Sequence, residues 1–166
     1  MKSQFRTRRI ALVGALTLTM SLTAGLALAQ NNASGDKSTG GVGYTQMSGF
    51  AARGSFNAHH TPNNPDTDMG QVNFDGIGPA GLISYKGTVD CYNRLSDNSA
   101  RFSGVVTESN DPMMRGFFEV VVADNGTPGR NGDLISQRLL TMPAGSDCGT
   151  ADPARPVESG NLVVHH

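Results

Sequence analysis

The sequence predicts an all-β protein, an antiparallel β-sandwich or small barrel of about seven strands, preceded by a signal peptide. Three observations carry this reading. The acidic residues are 11 Asp and only 3 Glu, and Asp sets turns and caps whereas Glu suits helix interiors. The chain holds 21 Gly and 8 Pro, which punctuate it repeatedly. Beyond residue 29 no long amphipathic helical period appears; the apolar residues come in short alternating or continuous runs between turn signals.

Residues 1–29 read as an export signal. Lys2, Arg6, Arg8 and Arg9 form a basic start, residues 10–28 are uncharged and apolar or small, and Ala27-Leu28-Ala29 supplies a small-x-small cleavage pattern. Residues 30–43, rich in Gly and Ser, read as a flexible lead, which places a single β domain over 44–166. Within it, strands are expected at 49–60, 71–75, 82–92, 100–107, 116–123, 134–140 and 161–166. Val72 and Phe74 alternate inward, Val89 is placed on one face with Cys91, and Ala100, Phe102 and Val106 share another. The run Phe117-Phe118-Glu119-Val120-Val121-Val122 is the strongest strand, with Phe118, Val120 and Val122 as its core face. Asp97-Asn98 turns one hairpin. The loop from Asp124 to Asp133 turns another, and residues 141–159 form a long Pro-containing connection.

The charge and the cysteines bound the function. The full chain carries 13 Lys+Arg and 14 Asp+Glu. Cleavage removes four basic residues and no acidic one, so nine face 14 and the mature charge is −5. That argues against nucleic acid as a partner and, once the signal is removed, against a membrane surface. Cys91 and Cys148 are the only cysteines, and in an exported chain they are expected to form one disulfide.

The loop Asp124-Asn125-Gly126-Thr127-Pro128-Gly129-Arg130-Asn131-Gly132-Asp133 is the candidate cation site. Calcium takes several oxygen ligands, and Asp124, Asn125, Asn131 and Asp133 with backbone carbonyls supply them. The spacing departs from the EF-hand pattern, and turn geometry is the preferred reading of the same residues. Asp66 and Asp68 are a weaker acidic pair. His59-His60 and His165-His166 cannot chelate within one pair, because adjacent strand side chains face opposite ways. The motifs of serine hydrolases, phosphate-binding loops and zinc proteases are missing. With no Trp and three Tyr, a sugar-stacking platform would have to draw on Tyr44, Tyr85 and Tyr92.

Several pieces recur in a recognisable order: Gly54-Ser55-Phe56-Asn57-Ala58-His59, Gly87-Thr88-Val89-Asp90-Cys91, Ala100-Arg101-Phe102-Ser103-Gly104, the 118–135 stretch with Asp-Asn-Gly-x-Pro-Gly, and Gly160-Asn161-Leu162-Val163-Val164-His165. In this order the chain resembles a group of secreted bacterial β-rich domains of unassigned biochemical role. The resemblance implies an extracellular β-sandwich and offers no catalytic residues. The functional expectation is an exported, non-enzymatic binding or structural module of the cell envelope or extracellular space, without cofactor and with an extracellular or cell-surface ligand. The alternatives are a calcium-stabilised adhesion or carbohydrate-binding domain, and a small secreted hydrolase using His59 with an Asp.

Overall fold

The computed structural model describes residues 35–62, 68–78, 81–126 and 132–165. The expected signal peptide lies outside them. Eight antiparallel strands run up and down in sequence order and close into a barrel: β1 (Lys37–Thr45), β2 (Ala51–His59), β3 (Met69–Gly78), β4 (Gly81–Ser96), β5 (Ser99–Ser109), β6 (Phe117–Ala123), β7 (Leu134–Leu140) and β8 (Arg155–His165). One 3₁₀ turn, Pro112–Met114, is capped by the Asp111 carboxylate accepting from Met113 N. The all-β antiparallel expectation holds, and closure leaves no free sheet edge along most of the molecule.

Two expected boundaries change. The flexible lead of 30–43 is wrong from Lys37 onward: β1 pairs with β2 from Lys37↔His59 to Thr45↔Ala51, and with β8 from Lys37↔His165 to Tyr44↔Val157. Its glycines read as a linker, but two of them, Gly40 and Gly43, make room for neighbours. A Cβ on Gly40 would lie 2.7 Å from the Phe56 ring, so the missing side chain lets Phe56 sit across β1. The last strand also starts earlier than expected, at Arg155, because a register shift opposite Gly43/Tyr44 breaks its alternation.

The interior is packed rather than hollow. Val42, Phe56, Val72, Phe74, Val89, Phe102, Phe118, Val120, Val122, Ile135 and Leu162 fill it. Phe56 and Phe102 lie 5.3 Å apart between ring centres, Phe74 and Tyr85 5.5 Å. The expected inward faces of β3, β5 and β6 are the observed ones. The exception is Cys91. A register irregularity between Val89 and Cys91 switches the side-chain parity of β4, so Tyr92 points into the core and Cys91 points out.

Outward, Cys91 meets Cys148 in a disulfide, as the sequence predicts. That bond pins residues 141–154 as a strap across the outer face of β5, β6 and β7. Glu119, outward on β6, is fully buried beneath it. Its carboxylate accepts from Arg138 Nε and from Ala151 N at 2.7 Å, and Arg101 Nε stands 3.5 Å away. Arg101 also donates to the carbonyls of Gly149 and Ala151, at 2.8 and 2.7 Å. Gly149 adopts φ +120°, and a Cβ there would lie 2.1 Å from the Glu119 carboxyl, so the strap reaches this depth only with glycine.

Candidate functional site

The wall of the barrel is not uniform. β7 pairs with β6 along its whole length, but with β8 only at Leu134↔Pro156 and Ile135↔Arg155. Beyond that point the side of β7 facing away from β6 has no strand partner. Side chains tie it sideways instead: Ser136 donates to Asp152 O at 2.7 Å and accepts from Ala154 N at 3.0 Å, and Arg138 donates to Thr150 Oγ1 at 2.9 Å. A groove of about 530 Å³ opens here between β7 and the β1–β2 turn, bordered by Tyr44, Gln46, Met47, Gln137, Leu139 and Arg155. It shares Gln137, Leu139 and Met114 with a cavity of about 210 Å³ at the mouth, walled by Phe74, Ile83 and Tyr85.

Strand alternation explains which side chains line this cleft. Gln137 pairs with inward Val120 on β6, and Tyr85 pairs with inward Phe74 on β3, so both point to the interior. Tyr44 ends the inward series Ser38, Val42, Tyr44 on β1. The Tyr44 hydroxyl donates to Gln137 Oε1 at 3.0 Å. The Tyr85 hydroxyl is buried and has no hydrogen-bond partner; Gln137 stands close enough to favour its ionised form without reaching bonding geometry. Burial pushes both phenols well above their ordinary value, with Tyr44 adding to the effect at Tyr85. Both therefore remain protonated donors.

The rim of this mouth is apolar. Of the eight large hydrophobic side chains exposed among the described residues, Met47, Ile77, Leu82, Met113 and Met142 sit at this end, on or beside its connections. Met47 and Met113 are 85% and 89% exposed. Methionine is unbranched and polarizable, and adapts to irregular apolar partners.

Among the described residues, the candidate calcium ligands and the histidines lie at the opposite end. Asp124 accepts from Gly126 N at 3.0 Å with one carboxylate oxygen and from Val164 N at 3.2 Å with the other. Asp133 accepts from Asn125 N at 2.9 Å; its second oxygen is buried without a partner. Asn125 accepts from Asn98 at 2.9 Å and donates to Gly132 O at 2.5 Å. Asn131 and Asp66 lie outside the described residues. The visible part of the loop thus works as hairpin geometry tied to β8 and to the β4–β5 turn. Among the described residues no three His, Cys, Asp or Glu side chains converge.

His59 faces outward on β2 and has no side-chain hydrogen bond among the described residues; its neighbour makes the Asp contact instead. His60 Nδ1 lies 2.8 Å from Asp68, whose other oxygen accepts from Tyr92 N at 2.6 Å. His59 and His165 both register on Lys37 from opposite sides of β1, so that strand and its lysine lie between them. Tyr44, Tyr85 and Tyr92 are all interior and offer no exposed stacking surface.

Sequence reasoning missed Gln137, Arg155 and the rim methionines. Polar residues on a short strand carry no motif, and only the incomplete β7–β8 pairing gives them a shared space. No protein family, curated protein or solved structure matches the chain.

Proposed function

We propose that this protein is an exported, non-enzymatic binding module whose barrel mouth takes the apolar part of a small molecule. One observation carries the reading: an apolar cavity of about 210 Å³ at the mouth, walled in part by Tyr85, opens into the β7 groove. Binding sites are typically concave and apolar with a few converging polar groups. The exposed methionine rim suits the same role, since it would cover an apolar ligand entering the cleft. The Cys91–Cys148 disulfide fits an oxidising compartment and so supports export. The acid–base pair at the far end favours no catalytic reading, because Asp68 divides its carboxylate between His60 and the Tyr92 amide.

The test is a titration with Nile red, an uncharged dye that brightens in apolar surroundings. Saturable one-to-one binding is expected for the native protein. Leu139→Asp, which puts a charge in the cleft wall, should weaken it about ten-fold or more, with the barrel intact by circular dichroism. Absence of saturable binding, or binding indifferent to both Leu139→Asp and Ile83→Asp, would refute the reading.

A further inference from the structure

We infer that the cleft selects ligands bearing a carboxylate, held by Arg155; this rests on the binding reading above and gives it a chemical class. Arg155 pairs directly with Ile135, a fully buried inward residue, and lies two positions before inward Val157. Cross-strand partners share a face, so the Arg155 side chain is directed to the inner side of the seam. There it borders the groove with Tyr44, Gln137 and Leu139.

Its Nε is buried and makes no hydrogen bond, and the side chain forms no ion pair with any described residue. The contrast with the other two arginines of this region is direct. Arg101 and Arg138 share the Glu119 carboxylate and the strap's oxygens. A guanidinium cannot shed its charge, so a half-buried one without an acceptor calls for an anion.

The surrounding groups are donors as well. The Tyr85 hydroxyl has no acceptor. Gln137 spends its carbonyl on Tyr44 and turns its amide toward the Tyr85 oxygen. Two carboxylates border the cleft, Asp75 in the cavity and Asp152 in the groove, and neither pairs with Arg155. Among the described residues, the one cation left open at the cleft is therefore Arg155, with Asp75 and Asp152 standing elsewhere on its border. A ligand carboxylate accepts from the guanidinium, and a charge-assisted bond of that kind is about twice as strong as a neutral one. The cavity fixes the scale of the remainder: dry apolar cavities of about 150 Å³ hold a benzene-sized group. A monocarboxylic acid with a ring or a medium-length alkyl chain fits this description.

The experiment compares octanoate with octanol by isothermal titration near neutral pH, on the native protein, Arg155→Gln, Arg155→Lys and Tyr85→Phe. Octanoate should bind the native protein about ten-fold more tightly than octanol. Arg155→Gln should abolish that preference by weakening octanoate about ten-fold more than octanol, Arg155→Lys should restore part of it, and Tyr85→Phe should leave the preference in place. Equal affinities for the two compounds in the native protein overturn the inference. So does an Arg155→Gln variant that weakens both compounds equally, which would mark Arg155 as a packing residue. Nile red binding with no octanoate binding removes the carboxylate inference alone. Loss of all three ligands removes the binding reading with it.

Discussion

Two buried tyrosines carry the same hydroxyl into different circumstances. Tyr92 shares a hydrogen bond of 2.9 Å with the buried Ser38 hydroxyl. Tyr85 shares none. The net value of a satisfied buried hydrogen bond is about 1 kcal/mol, whereas leaving a partner orphaned costs about 1–3 kcal/mol. Tyr92→Phe should therefore destabilise the barrel by about 1–3 kcal/mol, since Ser38 loses its partner. Tyr85→Phe should leave stability unchanged or raise it by about 1 kcal/mol, since it deletes a group already desolvated without return. Urea unfolding of the two variants decides it. An equal loss in both would mean that Tyr85 hydrogen-bonds in solution, and the open donor at the cleft would disappear.

Among the elements, the strap over β5–β7 is held by more than its disulfide. A closed loop with a 57-residue separation contributes about 4 kcal/mol in the chain-entropy account, but the strap also satisfies Glu119. Breaking a fully buried ion pair from one side costs about 3–5 kcal/mol; here Arg101 stays buried while Arg138 is 44% exposed, so the loss should lie at or below the lower end of that range. Glu119→Ala should lower unfolding free energy accordingly and speed exchange of the Ala151 amide, which loses its acceptor. Native-state hydrogen exchange and urea unfolding measure both. Slow Ala151 exchange in the variant would show that the disulfide alone seats the strap. The element also marks where the sequence was legible. Phe118, Val120 and Val122 announced a core face by simple alternation, and the cysteines announced their bond by compartment and number. Glu119, in the middle of the same run, gave its own signal: a charged residue on a strand whose outer neighbours Val121 and Ala123 are apolar implies cover on that side. What supplies the cover, and Arg101 and Arg138 as partners, depends on a connection of irregular backbone that no periodicity describes. β1 failed for the opposite reason. Its glycines look like a linker until Phe56 is seen to fill the space Gly40 leaves, a property of the neighbouring strand rather than of β1 itself.

At the scale of the whole molecule, closure converts scattered tyrosines into one collective property. Tyr44 on β1 and Tyr85 and Tyr92 on β4 all enter the same interior, and burial raises each phenol. For Tyr92 the value is pushed up from 10.0 to about 12, mainly by burial and eased by the Ser38 hydrogen bond. In the unfolded chain these groups titrate near 10. Below that pH both states hold the protons, and the stability associated with un-ionised phenols is fully present. Above it the unfolded chain releases protons that the barrel retains, so the unfolded state gains and stability falls. Each tyrosine contributes a slope of about 1.4 kcal/mol per pH unit between its unfolded and folded values. With three such groups the barrel should lose stability steeply from about pH 10 upward, and phenolate absorbance should appear together with loss of the near-ultraviolet circular dichroism signal. Tyr85→Phe removes one group and should make the decline shallower by about a third. Phenolate absorbance rising near pH 10 while the barrel remains folded would show that the interior admits water at the mouth, and would place at least one of the three hydroxyls in contact with solvent.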